Sequence, residues 1–422
     1  MGVFFSLRGV LFLAIAMYCG IRAFKRPVFG LAFFLAMLLL RDAYLRVVFP
    51  AAVDFHFYQI FGLITLLAIF FLPAPGDAKG FNVSRVMWLL FLYVIIVNIS
   101  VYSAGASLLA VKGNETSIEL IKSALLSLMV LYGCRSEKDL QLLVTVIVGV
   151  VFFLFVNVYY DYRVKGMDIA ASTYYFMNRN SLGALFACTV PMAMSLSFIS
   201  TIRWQKIIYW LASGGMALGT ILTYSRAAFL AMVVGICILF WASKQQRLFL
   251  AVVVILSLVV VGWRVSDKFF ARVETIDSYQ EDASAMGRVA TNYAALEMVR
   301  AHPLVGIGAG NFPNRVLEFT PNQYLGWVAE GKQIHNILLQ AFAENGVFGG
   351  AIFFTLIVSV FICAIKHLLR RKAFGLSSPL LGGVVAAYGS YLINAQFGQG
   401  AYYGPFFYLF PLVLIACRYA QK

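Results

Sequence analysis

Apolar residues run along this chain in long unalternating stretches, broken at short intervals by loops that hold Pro, Gly, Lys and Arg. The stretches lie near 5–22, 28–49, 57–73, 86–102, 117–133, 140–158, 181–199, 206–222, 226–243, 248–264, 346–366, 378–394 and 404–419. A helix needs about 20 mostly apolar residues to cross a bilayer, and barrel strands would alternate where these runs do not. The pattern therefore predicts an all-α polytopic membrane protein with about 12 transmembrane helices, several of them near the lower length limit. It breaks once, from about 265 to 345, where a largely polar segment is too long for a plain connector. The expected organisation is a transmembrane region at 1–264, a loop with helices at 265–345 and C-terminal transmembrane helices at 346–422, all within one membrane domain.

Inside the large loop, Met286, Ala290, Tyr293, Ala294 and Met298 recur at near-helical spacing. That spacing predicts a helix over Ala283–Arg300, ended by Pro303. A glycine-rich run follows, from Gly306 to Asn311, with a G-x-G-x-G spacing. It comes after a helix and a proline rather than after a strand, so a turn bringing backbone close to a span or a substrate is the better reading than a dinucleotide loop. Farther on, His335 stands where the polar segment passes into an apolar helix, which Asn345-Gly346 is expected to cap.

Composition agrees with the pattern. The chain is 62% hydrophobic and 12% charged, against roughly 45–50% and about 25% in soluble domains. A net charge of +15 would fit a nucleic-acid partner, but its distribution opposes one. Arg22, Lys25, Arg26, Lys79, Arg85, Arg135, Lys138, Arg203, Lys206, Lys244, Arg247, Lys366, Arg370, Arg371, Lys372, Arg418 and Lys422 fall in one alternating set of loops. The other set holds only Arg41, Arg46, Lys112, Arg163, Lys165, Arg179 and Arg226 in its short loops. The positive-inside rule makes the richer set cytoplasmic and puts the large loop on the opposite, periplasmic side. The six cysteines form no C-x-x-C pair, so neither a metal site nor a structural disulfide is expected. Of the 18 carboxylates half fall in the large loop, and none sits at the middle of a predicted span. This lowers the reading as a proton-coupled transporter, which needs a buried acid or an acid–His relay.

Two kinds of side chain remain as candidate chemistry. A histidine in the first turn of a helix feels the positive dipole end, which favours the neutral imidazole that a general base requires. His335 is so placed; the competing reading is a histidine hydrogen-bonded at the membrane interface. Arg226, Arg288 and Arg179 all fall on the side of His335, and guanidinium groups bind phosphate through several fixed donors. Singly each is as well explained by snorkelling or by an ion pair with a loop acid; together with the histidine they make an anion site credible.

Four pieces stand in order: Asn178-Arg179-Asn180-Ser181-Leu182; Ser225-Arg226; Pro303-Leu304-Val305-Gly306-Ile307-Gly308-Ala309-Gly310-Asn311-Phe312; and His335-Asn336-Ile337-Leu338-Leu339-Gln340 followed by Glu344-Asn345-Gly346. The ordered set resembles the signature of the O-antigen ligase and polymerase superfamily over about 175–350, and Arg26-Pro27-Val28-Phe29-Gly30 resembles the start of its ligase branch. The resemblance implies a bundle of about a dozen transmembrane helices in the bacterial inner membrane, with the active site facing the periplasm. It implies an undecaprenyl-diphosphate-linked glycan as donor and the lipid A core as acceptor, with membrane lipids around the protein, no cofactor, no metal and no nucleic acid. By motif, His335 would activate or orient the acceptor hydroxyl, while Arg226 and Arg288 would hold the diphosphate. Arg179, Asn180 and Asn336 would bind substrate. An O-antigen polymerase or a protein O-oligosaccharyltransferase would share donor and motifs. Outside that group stand a lipid-linked glycan flippase, which the long polar loop opposes, and a metal-dependent transferase using Asp42 or Asp54.

Overall fold

The computed structural model describes residues 7–48, 56–72, 83–105, 115–166, 179–243, 283–373, 379–398, 400–402 and 404–420. Among these, all regular structure is helical: α1 (Leu7–Ala23), α2 (Val28–Val48), α3 (Phe57–Phe71), α4 (Val83–Ser103), α5 (Thr116–Gly133), α6 (Glu137–Lys165), α7 (Arg179–Ile199), α8 (Arg203–Leu222), α9 (Arg226–Ala242), α10 (Ala283–Ala301), α11 (Phe312–Phe319), α12 (Ile337–Ala373), α13 (Pro379–Ala395) and α14 (Phe406–Tyr419). The span predicted at 248–264 lies outside the described residues, as does Asp54; Asp42 falls within α2. By length and composition, five described helices can cross a membrane: Arg85–Ser103, Thr116–Gly133, Glu137–Lys165, Arg179–Ile199 and Ile337–Arg370. Shorter apolar helices accompany them, so the chain is a multi-pass membrane protein.

Burial sorts the helices into an inner and an outer set. α7, α13 and α14 are enclosed along nearly their whole length. Small residues allow the close approach, as membrane helices require. Gly383 of α13 faces Ser195 and the Pro191 carbonyl of α7, and Gly235 of α9 faces Ser390. The Ser390 hydroxyl in turn donates to the Ala231 carbonyl. Outer helices carry large apolar side chains in the open: Leu11, Met17 and Ile21 on α1, Leu63, Phe70 and Phe71 on α3, Trp204, Ile207 and Leu211 on α8. Such faces are stable against lipid tails and not against water.

The contacts also fix which helix ends lie together. α13 runs antiparallel to α7 and α9, since Gly382 meets Ala242 while Ser390 meets Ala231 and Ala187. α4 runs antiparallel to α12, Tyr93 stacking on Phe353 at 4.9 Å while Ser100 reaches Glu344. One end of the bundle thus gathers the finish of α1, the α5–α6 junction, the start of α8 and the finish of α12 and α14. These places carry Arg22, Lys25, Arg26, Arg135, Lys138, Arg203, Lys206, Arg370 and Arg418. Asp139 is buried there and held by the Arg26 guanidinium, and Arg135 donates to the Leu72 and Ile69 carbonyls. The opposite end gathers the starts of α7, α9 and α12 with α10 and α11. Among the described residues, the two sets of loops separated by charge in the sequence therefore lie at the two ends of the bundle. α9 finishes at the basic end and α10 stands at the other.

Candidate active site

The described part of the large loop, from Ala283, folds on a small apolar core of its own. Ala290, Ala294, Ala295 and Met298 of α10 pack on Ile307, Phe312, Val316, Val328, Ile334 and Ala343. Ala290, Ala294 and Met298 confirm the face read from the sequence. Tyr293 sits off that face, 44% exposed, and stacks on Tyr324 at 4.9 Å. The core clamps the start of α12 against α10, and that clamp places His335.

His335 lies outside regular structure, one residue before the cap of α12, and so stands outside the first turn where the sequence pattern set it. The cap is Asn336, whose Oδ1 accepts the amides of Leu338 and Leu339, both at 3.0 Å. The imidazole is nonetheless held neutral, for other reasons than the helix dipole. Burial, the Arg288 guanidinium and the Lys332 ammonium together push the His335 pKa down to about 4. Lys332 belongs to this group although sequence reasoning passed it over. Its Nζ lies against α10 at Gly287, beside Arg288. Being three residues before the histidine, it was within reach of a search for cations around that motif.

Arg226 and Arg179 begin α9 and α7, and both are half-buried. The sharp turn Thr223–Ser225 makes this possible. Tyr224 takes a left-handed conformation at φ 52°, and the Ser225 hydroxyl caps α9 by accepting the Ala228 amide at 3.3 Å. Gly183, one turn into α7, faces Ala228 and Thr223 so closely that a Cβ there would collide with both. The first turns of α7 and α9 therefore touch, bringing Arg179, Asn180 and Arg226 into one neighbourhood. Arg288, Lys332 and His335 form a second neighbourhood at the same end of the bundle. Helix starts add their own positive potential there.

The glycine run proves to be a docking turn. Gly306, Gly308 and Gly310 all have positive φ, as the turn reading requires. A Cβ on Gly306 would overlap the Glu344 carbonyl, and one on Gly346 would overlap the Leu304 carbonyl. The two strands of backbone cross at van der Waals distance and are stitched by Ile307 N–H to the Ala343 carbonyl at 3.1 Å and Val347 N–H to the Pro303 carbonyl at 2.8 Å. Gly346, at φ 66° and ψ −172°, ends the helix that begins at Ile337, as the expected cap would, and a second helix follows it directly, so that α12 is two helices joined at a kink.

Glu344 is the buried acid of this crossing, 1% exposed. Its Oε1 accepts the Phe312 amide at 3.0 Å, and its carbonyl accepts the Ser100 hydroxyl at 2.6 Å and the Gly308 amide at 3.0 Å. Asn345 donates to the Tyr402 hydroxyl at 2.7 Å, and Tyr93 to the Ala401 carbonyl at 3.1 Å. Polar groups from α4, the glycine turn, α12 and the turn before α14 thus brace the element that presents His335.

Taken as chemistry, the end of the bundle offers a neutral half-buried imidazole beside two cations, with two further arginines on adjoining helix starts. Such a set can receive a proton and stabilise a leaving anion. Residues 211–354, which hold Arg226, Arg288, Lys332, His335 and Asn336, match the family model described as O-Antigen ligase. Arg179 and Asn180 fall outside the matched segment. No curated protein matches the chain significantly.

Proposed function

We propose that this chain, whose residues 211–354 match the O-antigen ligase family model, is a glycosyltransferase that moves O-antigen glycan from undecaprenyl diphosphate to the lipid A core, at the periplasmic face of the inner membrane. The observation carrying this reading is the half-buried His335 near Arg288 and Lys332, at the bundle end opposite the cationic loops. A diphosphate is already activated as a leaving group, so the protein has to supply positioning, charge stabilisation and a base. His335 takes the acceptor hydroxyl proton, or orients that hydroxyl, as it attacks the anomeric carbon. Arg226 and Arg288 hold the diphosphate and stabilise it as it departs. Arg179 and Asn180 bind it from the start of α7. Asn336 fixes the imidazole by capping α12 and contributes to substrate binding from the same position. In this scheme no metal takes part at the reacting atoms.

The test is transfer by purified protein given lipid-linked glycan and rough lipopolysaccharide, without added metal. Product with the native chain and none with His335→Ala, both inserted and folded, is the expected result. An active His335→Ala variant removes the histidine from the chemistry. Product on a growing glycan or on a protein, with none on lipopolysaccharide, reassigns the acceptor to the polymerase or the protein-modifying reaction.

A further inference from the structure

At the basic end of the bundle, outside the matched segment, the fold gathers three metal-ligating side chains that the sequence scatters. Cys363 and His367 stand four residues apart on α12, hence on one helix face. Cys417 of α14 packs against that face. One donor atom from each, two sulfurs and an imidazole nitrogen, lies within 4.8 Å of the others. Cys417 is buried, while Cys363 and His367 are half-buried. A search for C-x-x-C spacing passes over this set because two of its members sit on one helix and the third on another.

We propose that Cys363, His367 and Cys417 bind one Zn2+ ion that clamps α12 to α14. The geometry is already close to what zinc demands. With Zn–S near 2.3 Å and Zn–N near 2.0–2.1 Å in a tetrahedral site, sulfur and nitrogen stand about 3.6 Å apart. Cys363 Sγ and His367 Nδ1 are separated by 3.6 Å. The same nitrogen lies 2.8 Å from the Cys363 carbonyl, to which only an N–H can donate, so ligation through Nδ1 gives up that hydrogen bond and moves the imidazole proton to Nε2. Binding converts both thiols to thiolates and releases two protons, so two thiolates, a neutral imidazole and Zn2+ sum to no net charge. That neutrality suits a half-buried place beside Lys366, Arg370 and Arg418, where bare thiolates would be drawn into ion pairs and a bare dication repelled. Three protein ligands leave one coordination position for water or another small donor. The clamp lies at the opposite end of α12 from His335, beyond the kink at Gly346, and its role is to hold the second part of α12 against α14. The proposal does not rest on the transfer reaction.

Purified protein in nanodiscs, kept reduced, should carry about one zinc per chain by mass spectrometry of the metal, with an X-ray absorption edge fitted by two sulfurs and one nitrogen. Exchange to cobalt should give a thiolate-to-cobalt charge-transfer band. Cys417→Ser and His367→Gln should each lower zinc content more than about tenfold, since even the partners of ligands cost 10–100-fold in affinity. Should a variant not fold, the absorption spectrum of the native chain decides alone. Protein that takes up no zinc after reloading, a scattering shell without sulfur, or a Cys363–Cys417 disulfide in freshly purified native protein would each overturn the site.

Discussion

His335 illustrates how much a single side chain depends on what surrounds it. Its ring is neutral because it is buried and faces Arg288 and Lys332, and this has a consequence for acidity. Ordinary histidine gains its proton near pH 6.5, whereas His335 does so only near 4. A base acting from the neutral imidazole therefore keeps working as pH falls from 6.5, and the acid limb of the transfer rate should lie near pH 4. Arg288→Ala should move that limb upward, by removing one of the charges that oppose protonation, in a pH–rate profile of the purified enzyme. The sign for stability is the same. The unfolded chain takes the proton first, so this group's contribution is whole above about pH 6.5 and is lost as pH falls towards 4. For Arg226 and Arg288, Ala should impair use of the lipid-linked donor more than Lys does, because a point charge retains part of the attraction for phosphate. A donor titration measures this, and equal, unimpaired donor affinity in all four variants would remove the diphosphate site.

Among elements, the start of α12 determines the position of the histidine. Asn336 accepts two amides there, and loss of a cap of this kind costs about 1 kcal/mol. Asn336→Ala should therefore destabilise the folded protein modestly in thermal unfolding, while lowering kcat by a larger factor through misplacement of His335. Asn336→Asp, which keeps the capping oxygen, should restore the unfolding temperature. The break at Gly346 works together with the cap. Helix geometry would carry residues 337–345 straight on, and the crossing with Leu304 diverts them over the loop core. Asn345-Gly346 reads as a stop in the sequence because a positive-φ glycine ends many helices, and the first helix does stop there, the crossing backbone supplying partners before a second helix begins.

For the whole molecule, the segregation of charge to one end carries a prediction about orientation. The finish of α1 and the α5–α6 junction belong to the basic end, and the turn before α12 to the other. If the basic end faces the cytoplasm, a cysteine introduced at Lys25 should resist a membrane-impermeant thiol reagent applied to spheroplasts, and one introduced at Glu330 should react. The reverse pattern would turn the site inward and would be incompatible with the proposed acceptor.

Hydrophobic pattern by itself determined that the chain is helical and membrane-embedded, since only runs of that length and continuity can satisfy their backbone in lipid. It also located α10, the glycine turn and the His335 segment, because helical spacing, proline and positive-φ glycine are local properties. The ordered motifs pointed to the family whose model matches residues 211–354. What the sequence could not settle were relations between residues distant in the chain. Lys332 beside Arg288, Glu344 under the Phe312 amide, the crossing of Gly306 with Gly346, and Cys417 against Cys363 and His367 all depend on which helices pack and in which direction. Packing is decided by the fit of small and large side chains over whole helix faces, and no local window contains that information.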